Sequence, residues 1–473
     1  MIADTVIFGA TIVTDTTQFA ASIAIKDGVI LAIGADEAMP EAKERVDATG
    51  KHLLPGAIDA HVHFREPGYS HKETWETGTA SAAMGGVTTV FEMPNTKPPT
   101  GTVDALNLKL KAAESAYVDF GIYGLLGEDN LDQLEALIEG GVAGFKCFMG
   151  NTFANLPSPP TGAILEGFEI IAKHGYRIAL HAENASIMAR RQIKLQEVGR
   201  RDPLAHLAAR PPVVAVEAVT RAAILAEWTG ARIHILHVSS GDELRPLREA
   251  KARGVDITAE TCPHYLLLDE HAYTEKGSLV RVNPPVREKT HQDQLWKGVQ
   301  DGTIDMIATD HAPHSKEEKH NDDIWCADCG FTGVETQMPL MLTQVQGGRL
   351  SLNDYVRMTS TAPARAFGLY PRKGALVPGA DADIVVIDLD REETVDSGVL
   401  QSKGPSTPFD KVQVKGVPIH TMVRGRFVMR DRALCTEAKG HGLSVRRIQQ
   451  MPTPTPRNLE HTTQAILAFR PGQ

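Results

Sequence analysis

GAIDAHVHFREPG, residues 56–68, is an apolar strand that ends in chemistry. Asp59, His61 and His63 occupy alternate positions, and a period of two places their side chains on one face of a strand. Seven further stretches have the same form: VTTVFEM (87–93), VDFGIYG (118–124), AGFKCF (143–148), RIALHAE (177–183), IHILHVS (233–239), DITAETC (256–262) and IDMIATD (304–310). Between them run segments with helical periodicity, such as VVAVEAVTRAAILAEWTG (213–230). Strands alternating with helices imply a parallel sheet with helical crossovers. Eight such units between residues 55 and 370 suit a (β/α)8 barrel of the α/β class. The alternative is an open, doubly wound sheet. The polar residues favour the barrel: His61, His63, Glu92, Lys146, His181, His237, Glu260 and Asp310 all fall near C-terminal strand ends, the face on which a barrel gathers an active site.

Outside this stretch the rhythm changes. TVIFGATIVT and ASIAIKDGVILAIG read as short strands near the start, with Asp27-Gly28 as a hairpin signal. The texture returns late in ADIVVIDL and HTMVRGRFVM, where Arg424-Gly425 suits a turn. The expected organisation is one small β-domain built from residues 1–54 and 371–440, the barrel over 55–370, and a C-terminal arm over 441–473 carrying Pro452, Pro454 and Pro456. Of the 473 residues, 42% are hydrophobic and 23% charged, which excludes disordered and fibrous classes. A net charge of −10 argues against a nucleic-acid binder. No run approaches the ~18 apolar residues of a membrane span. The start of the chain lacks the pattern of a signal peptide, and five cysteines make no disulfide framework, so the expected setting is a reducing cytoplasm.

The chemistry lies at the strand ends. The imidazoles of His61 and His63 can reach one metal ion through their ring nitrogens. Lys146, buried beside dications as an ammonium, would be repelled. Once it has reacted with carbon dioxide it becomes an N-carboxylate, an anion able to bridge two metals. His181 and His237 end neighbouring strands, and Asp310 supplies a carboxylate at the last one, followed by His311 and His314. Each of these residues alone has a bland reading, as a satisfied core histidine, a snorkelling lysine or a helix cap. Four histidines, a lysine and an aspartate at five strand ends have a metal centre as their common explanation.

These motifs carry a resemblance. DAHVHFREPG, GFKCFMG, ALHAEN, ILHVSS, ETCPHYL, NPPVR and ATDHAPH occur in the order seen in the amidohydrolase superfamily, and the chain resembles its cyclic amidohydrolase branch over most of its length. The paired β segments look like the small β-sandwich domain of that family. Within the branch the chain looks most like the dihydroorotases, on HVHFREPG with Arg65, on MPNTKPPT with Asn95, and on NPPVR. There the matching arginine and asparagine hold a substrate carboxylate, a task that suits the guanidinium fork. ETCPHYL and GFKCFMG read more like hydantoinases or allantoinases, and WCADCGF (325–331) matches neither pattern. Cys326 and Cys329 form a CxxC, read as ordinary loop packing because no second cysteine pair lies nearby.

The resemblance implies two divalent ions, zinc by ligand chemistry, with manganese or cobalt as alternatives. His61 and His63 would bind one ion with Asp310, and His181 and His237 the other, with carboxylated Lys146 between them. Asp310 would act as base and then acid. Arg65, Asn95, Asn283 and His314 would orient the substrate. The expected reaction is reversible hydrolysis of dihydroorotate to N-carbamoyl-aspartate in pyrimidine biosynthesis. A hydantoinase or allantoinase activity is the second reading, and a catalytically inert scaffold the third. The partner is a small cyclic amide, with no nucleic acid and no membrane, and a homodimer or homotetramer is expected.

Overall fold

The computed structural model describes residues 2–150 and 156–447. Two sheets organise it. The first is an eight-stranded parallel sheet in sequential order: β6 (Ala57–Val62), β7 (Val87–Glu92), β8 (Asp119–Leu125), β9 (Gly144–Phe148), β10 (Arg177–His181), β11 (Arg232–Ile235), β12 (Ile257–Thr261) and β13 (Met306–Ile307). Strands this apolar, buried on both faces, need helices outside them. The segment 213–230 supplies one: Val213–Thr229 is helical and stops at Gly230, whose φ of 70° is the left-handed cap that glycine tolerates.

The ends of this sheet meet. Val62 bridges His311 in parallel, the His63 amide donates to the His311 carbonyl at 2.7 Å, and Asp59 accepts from both the amide and the hydroxyl of Thr309. Asp59, on the face expected to carry chemistry, therefore joins the first strand to the last. The (β/α)8 expectation holds, and an open sheet is excluded.

Two strands end earlier than their sequences suggest. β11 stops at Ile235 and β13 at Ile307, because the backbone turns into the left-handed region at His237 (φ 39°) and Asp310 (φ 48°). Arg65, just past the first barrel strand, has the same backbone form at φ 65°. Small residues such as Ala60 and Ala179 fill the barrel interior, and Phe367 packs into it against Phe91 at 4.6 Å and against Tyr123 and His234 near 6 Å.

The second sheet is mixed, nine-stranded, and built from both ends of the described chain. Its strands are β1 (Ala3–Val13), β2 (Gln18–Lys26), β3 (Val29–Gly34), β4 (Ala42–Asp47), β5 (His52–Pro55), β14 (Ile384–Thr394), β15 (Gln413–Val423), β16 (Arg426–Arg430) and β17 (Ala433–Leu434). β5 joins the two halves, running parallel to β1 and antiparallel to β14. Both expected hairpins form. Asp27-Gly28 and Arg424-Gly425 each place two residues at positive φ, the geometry whose twist matches the flanking strands. The two turns touch: a Cβ on Gly28 would meet the Arg424 carbonyl at 3.1 Å.

Lys373 ties this sheet to the barrel. Its buried ammonium sits 2.7 Å from Asp119 on β8, 2.6 Å from Asp383 and 3.0 Å from Asp381. Of the C-terminal arm, residues 442–445 run along the start of β8 by hydrogen bonds to Ala116 and Phe120. The proline run 452–456 lies outside the described residues.

Candidate active site

At the C-terminal ends of the barrel strands, a small cavity is lined by His61, His63, Arg65, Asn95, Lys146, His181, His237, Asn283 and Asp310, with Phe148, Val282, Ala312, Cys329 and Gly330 completing its wall. Nine of the ten residues singled out from the sequence thus meet in one place. The tenth, His314, stands behind Arg65, with its Nε2 3.1 Å from the guanidinium.

The tautomers follow from the hydrogen bonds. Glu260 Oε1 accepts the His237 amide at 3.3 Å and lies 2.6 Å from His61 Nδ1, so that nitrogen carries the proton and Nε2 keeps its lone pair. His63 donates from Nδ1 to Asn95 Oδ1 at 2.8 Å, again leaving Nε2 as the donor atom. Both Nε2 atoms lie 3.1 Å from Asp310 Oδ1. Ligands of one tetrahedral zinc, each about 2.0–2.1 Å from the ion, lie about 3.3 Å apart, so the three groups fit a shared cation. On the opposite side, His181 donates from Nε2 to Glu183 at 2.9 Å and turns Nδ1 toward His237 Nε2, 2.8 Å away. Burial works against the Glu183 carboxylate, yet Arg210 and His181 hold its pKa low. The buried Nδ1 of His237 has no hydrogen-bond partner among the described residues.

Burial drives all four imidazoles below their ordinary pKa, so they are neutral, as metal ligands must be. It also lowers the Lys146 amine to about 7, although Asp310 and Glu260 pull the other way. Among the described residues the Lys146 Nζ makes no hydrogen bond or ion pair; it lies 4.6 Å from the centre of the Phe148 ring. Burial raises Asp310 to about 6 against the opposing pull of His264, Lys146 and His181. The donor set therefore fits a pair of divalent ions: two groups of neutral imidazoles, a carboxylate, and an amine with no anionic partner to hold it charged.

The substrate-side residues divide. Arg65 is buried and its guanidinium is lowered to about 10 by burial against the pull of Asp310 and Asp328. Asn95 spends its oxygen on His63. Asn283 presents a buried Oδ1 with no partner among the described residues, an acceptor on the cavity wall. His314 is held from behind, with Nδ1 3.0 Å from Asp328 and 2.9 Å from Lys72, while Nε2 also faces the Cys329 carbonyl at 3.0 Å. Cys326 and Cys329 are free thiols, the first exposed and the second at the cavity wall.

The sequence reading named Glu92 and Glu260 as strand-end residues without assigning them work. Glu92 forms a buried ion pair with Lys109. Glu260 lies beneath the histidines and also accepts from His234 Nε2 at 2.9 Å. No sequence signal shows that pairing, because its partners are 23, 26 and 199 residues away.

Comparisons with known proteins agree with this geometry. The model of the amidohydrolase family matches residues 52–428. An L-hydantoinase of Paenarthrobacter aurescens is 37% identical over 90% of this chain and 94% of its own length. An allantoinase of Solibacter usitatus is 34% identical over 93% of this chain and 96% of its own. A dihydroorotase of Listeria welshimeri is 37% identical over 86% and 94%. The solved structure of the L-hydantoinase (dihydropyrimidinase) from Arthrobacter aurescens superposes with a TM-score of 0.92 at 36% identity, covering 94% of this chain and all of that one. Among the described residues no helix is long and apolar enough to cross a membrane.

Proposed function

The chain belongs to the amidohydrolase family and is a hydrolase of cyclic amides, and we propose that its substrate is a small cyclic ureide, opened at a metal centre. The observation that carries this reading is the convergence of His61, His63 and Asp310 on one side of a small cavity and His181 and His237 on the other, with an unpaired lysine amine on the same wall.

His61, His63 and Asp310 would hold one divalent ion, by ligand type zinc, and His181 and His237 a second, with Lys146 serving both as its N-carboxylate. Such ions, when bound, polarise a carbonyl and make hydroxide available at neutral pH. Lys146 is suited to carboxylation because its amine, lowered to about 7, is substantially neutral at physiological pH. Its lone pair forms the N–C bond to carbon dioxide, and one amine proton leaves. Asp310 would take up a proton as the ring is attacked and return it to the leaving amide nitrogen, a base-then-acid role open to a carboxylate on the cavity wall. Asn95 holds His63 in its ligating tautomer. Asn283 accepts from a ring N–H, and Arg65, braced by His314, faces the more polar end of the substrate.

Arg65 favours one member of the class. Among the described residues it is the one guanidinium on the cavity wall, and a ring bearing a carboxylate, as in dihydroorotate, matches it bidentately. Rings without a carboxylate, hydantoin and allantoin, are the competing substrates suggested by the names of the relatives. The test is hydrolysis of dihydroorotate, hydantoin, dihydrouracil and allantoin by the purified, zinc-loaded protein. Selective opening of dihydroorotate supports the pyrimidine-pathway reading, preference for another ring moves the enzyme to a catabolic role, and turnover of none overturns the proposal. The same reading includes a cytoplasmic setting and self-association as a dimer or tetramer, which light scattering measures directly.

A further inference from the structure

One polar column runs through the barrel beneath the cavity, and the proposed chemistry makes no use of it. Glu260, fully buried, takes His61 Nδ1 at 2.6 Å and the His237 amide at 3.3 Å on Oε1, and His234 Nε2 at 2.9 Å on Oε2. His234, equally buried, continues through Nδ1 to the Thr258 hydroxyl at 2.8 Å. Thr258 lies 3.3 Å from Arg177 Nη1, and Arg177 reaches Asp256 at the far end of the barrel at 2.7 Å. The surrounding interior positions are Ala60, Ala179 and Leu236.

A carboxylate placed here for stability alone is hard to explain. Burying it is costly, and an apolar filler would avoid that cost. Buried carboxylates elsewhere in this molecule are held either by cations, as Glu92 by Lys109 and Asp383 by Lys373, or by hydroxyls and amides, as Asp59 by Thr309 and the His61 amide. Glu260 differs from both: among the described residues its side-chain partners are two imidazoles, and one of them is His61. Its geometry does two things. It fixes the proton of His61 on Nδ1, leaving Nε2 aimed at Asp310. Through the His237 amide it also holds the chain at the left-handed turn that brings the His237 ring beside His181.

We propose that Glu260 and His234 are positioning residues for the metal centre, Glu260 by orienting His61 and the His237 backbone together, and His234 by holding Glu260 in place from below. The inference rests on the reading of His61 as a metal ligand. Neither residue touches substrate or the reacting atoms. Hydrogen-bonded carboxylate–histidine pairs behind a metal are worth roughly 10- to 100-fold in metal affinity.

The test compares wild type with Glu260→Met, His234→Leu and His234→Gln. Each is loaded with zinc, challenged with a chelator, and followed by metal content per chain over time, with circular dichroism as the check on folding. Glu260→Met is expected to release metal about 10- to 100-fold faster than wild type. His234→Leu should move in the same direction by less. His234→Gln should restore slow release, because its amide N–H can still donate to Glu260, whereas a role in packing alone would not separate Gln from Leu in this way. Wild-type release rates in both Glu260→Met and His234→Leu would overturn the proposal, as would equal rates for Leu and Gln at position 234. If Glu260→Met does not fold, the two His234 variants decide. A wild-type protein that takes up no zinc overturns the metal-centre reading itself, an outcome distinct from either.

Discussion

Two buried lysines in this molecule keep opposite company. Lys373, where the end sheet meets the barrel, lies among three carboxylates at 2.6–3.0 Å. Lys146, in the cavity, has four histidines around it, no ion pair among the described residues, and an aromatic ring as its nearest distinctive contact. Both are almost completely buried. The first is tied in place by three ion pairs. The second is an amine whose surroundings favour the neutral form, the form that reacts. The residue type is identical, and only the neighbours separate a structural tie from a chemical group.

The sharpest way to break this comparison is to remove each charge in turn. Lys146→Met is expected to lower turnover by ~10³-fold or more, because the group proposed to serve both ions is gone, while the fold persists. Lys373→Met is expected to cost about 3–5 kcal/mol of stability by leaving Asp383 without its cation, while Asp119 and Asp381 keep Arg424 and Arg372, with the cavity untouched. Steady-state assays and chemical denaturation on both variants check the pair; an unstable Lys146 variant beside a stable but inactive Lys373 variant would reverse the assignment.

Asp310→Asn comes next in size. It keeps a ligating oxygen but loses the proton shuttle, so turnover should fall about 10²- to 10⁴-fold with zinc content near that of wild type. A near-normal rate would sink the acid–base role. Arg65→Ala probes the substrate side. For a carboxylate-bearing ring the loss of a charge-assisted bond should raise KM by roughly 10- to 100-fold, with kcat less affected. For hydantoin the change should be small, and equal losses on both rings would deny Arg65 a carboxylate-reading role.

The smallest expected effect is read in pH and concerns Lys146. Lys146 has its pKa depressed to about 7, so it is protonated below that value and neutral above it. At fixed dissolved carbon dioxide, the rate at which metal-free protein regains activity on adding zinc should therefore fall about tenfold per pH unit below 7 and level off above it. A rate that keeps climbing past pH 9 would mean an ordinary lysine and remove the basis for easy carboxylation.

Much of the site was legible in the sequence for a simple reason. Apolar runs of strand length ending in His, Lys or Asp report their own orientation, since strand period and barrel topology bring such ends together. What such patterns do not report is the second partner of each side chain. Asn95 was expected at the substrate and is bonded to His63; His314 was expected there too and stands behind Arg65. Asp59 shares a strand face with two histidines but closes the barrel through Thr309. Glu260 was visible at a strand end, yet its function depends on residues from two other strands.

By itself, then, the sequence determined the barrel, the pairing of the two chain ends into one sheet, and the set of residues that face the cavity. These follow from periodicity and turn chemistry, which are local. The tertiary structure alone decided which nitrogen of His61, His63 and His181 carries the proton, where β11 and β13 break off so that His237 and Asp310 can turn inward, and that Lys146 lacks the carboxylates that surround Lys373. Protonation and charge are set by whatever lies within a few ångströms, and in this molecule those neighbours arrive from strands up to 250 residues apart.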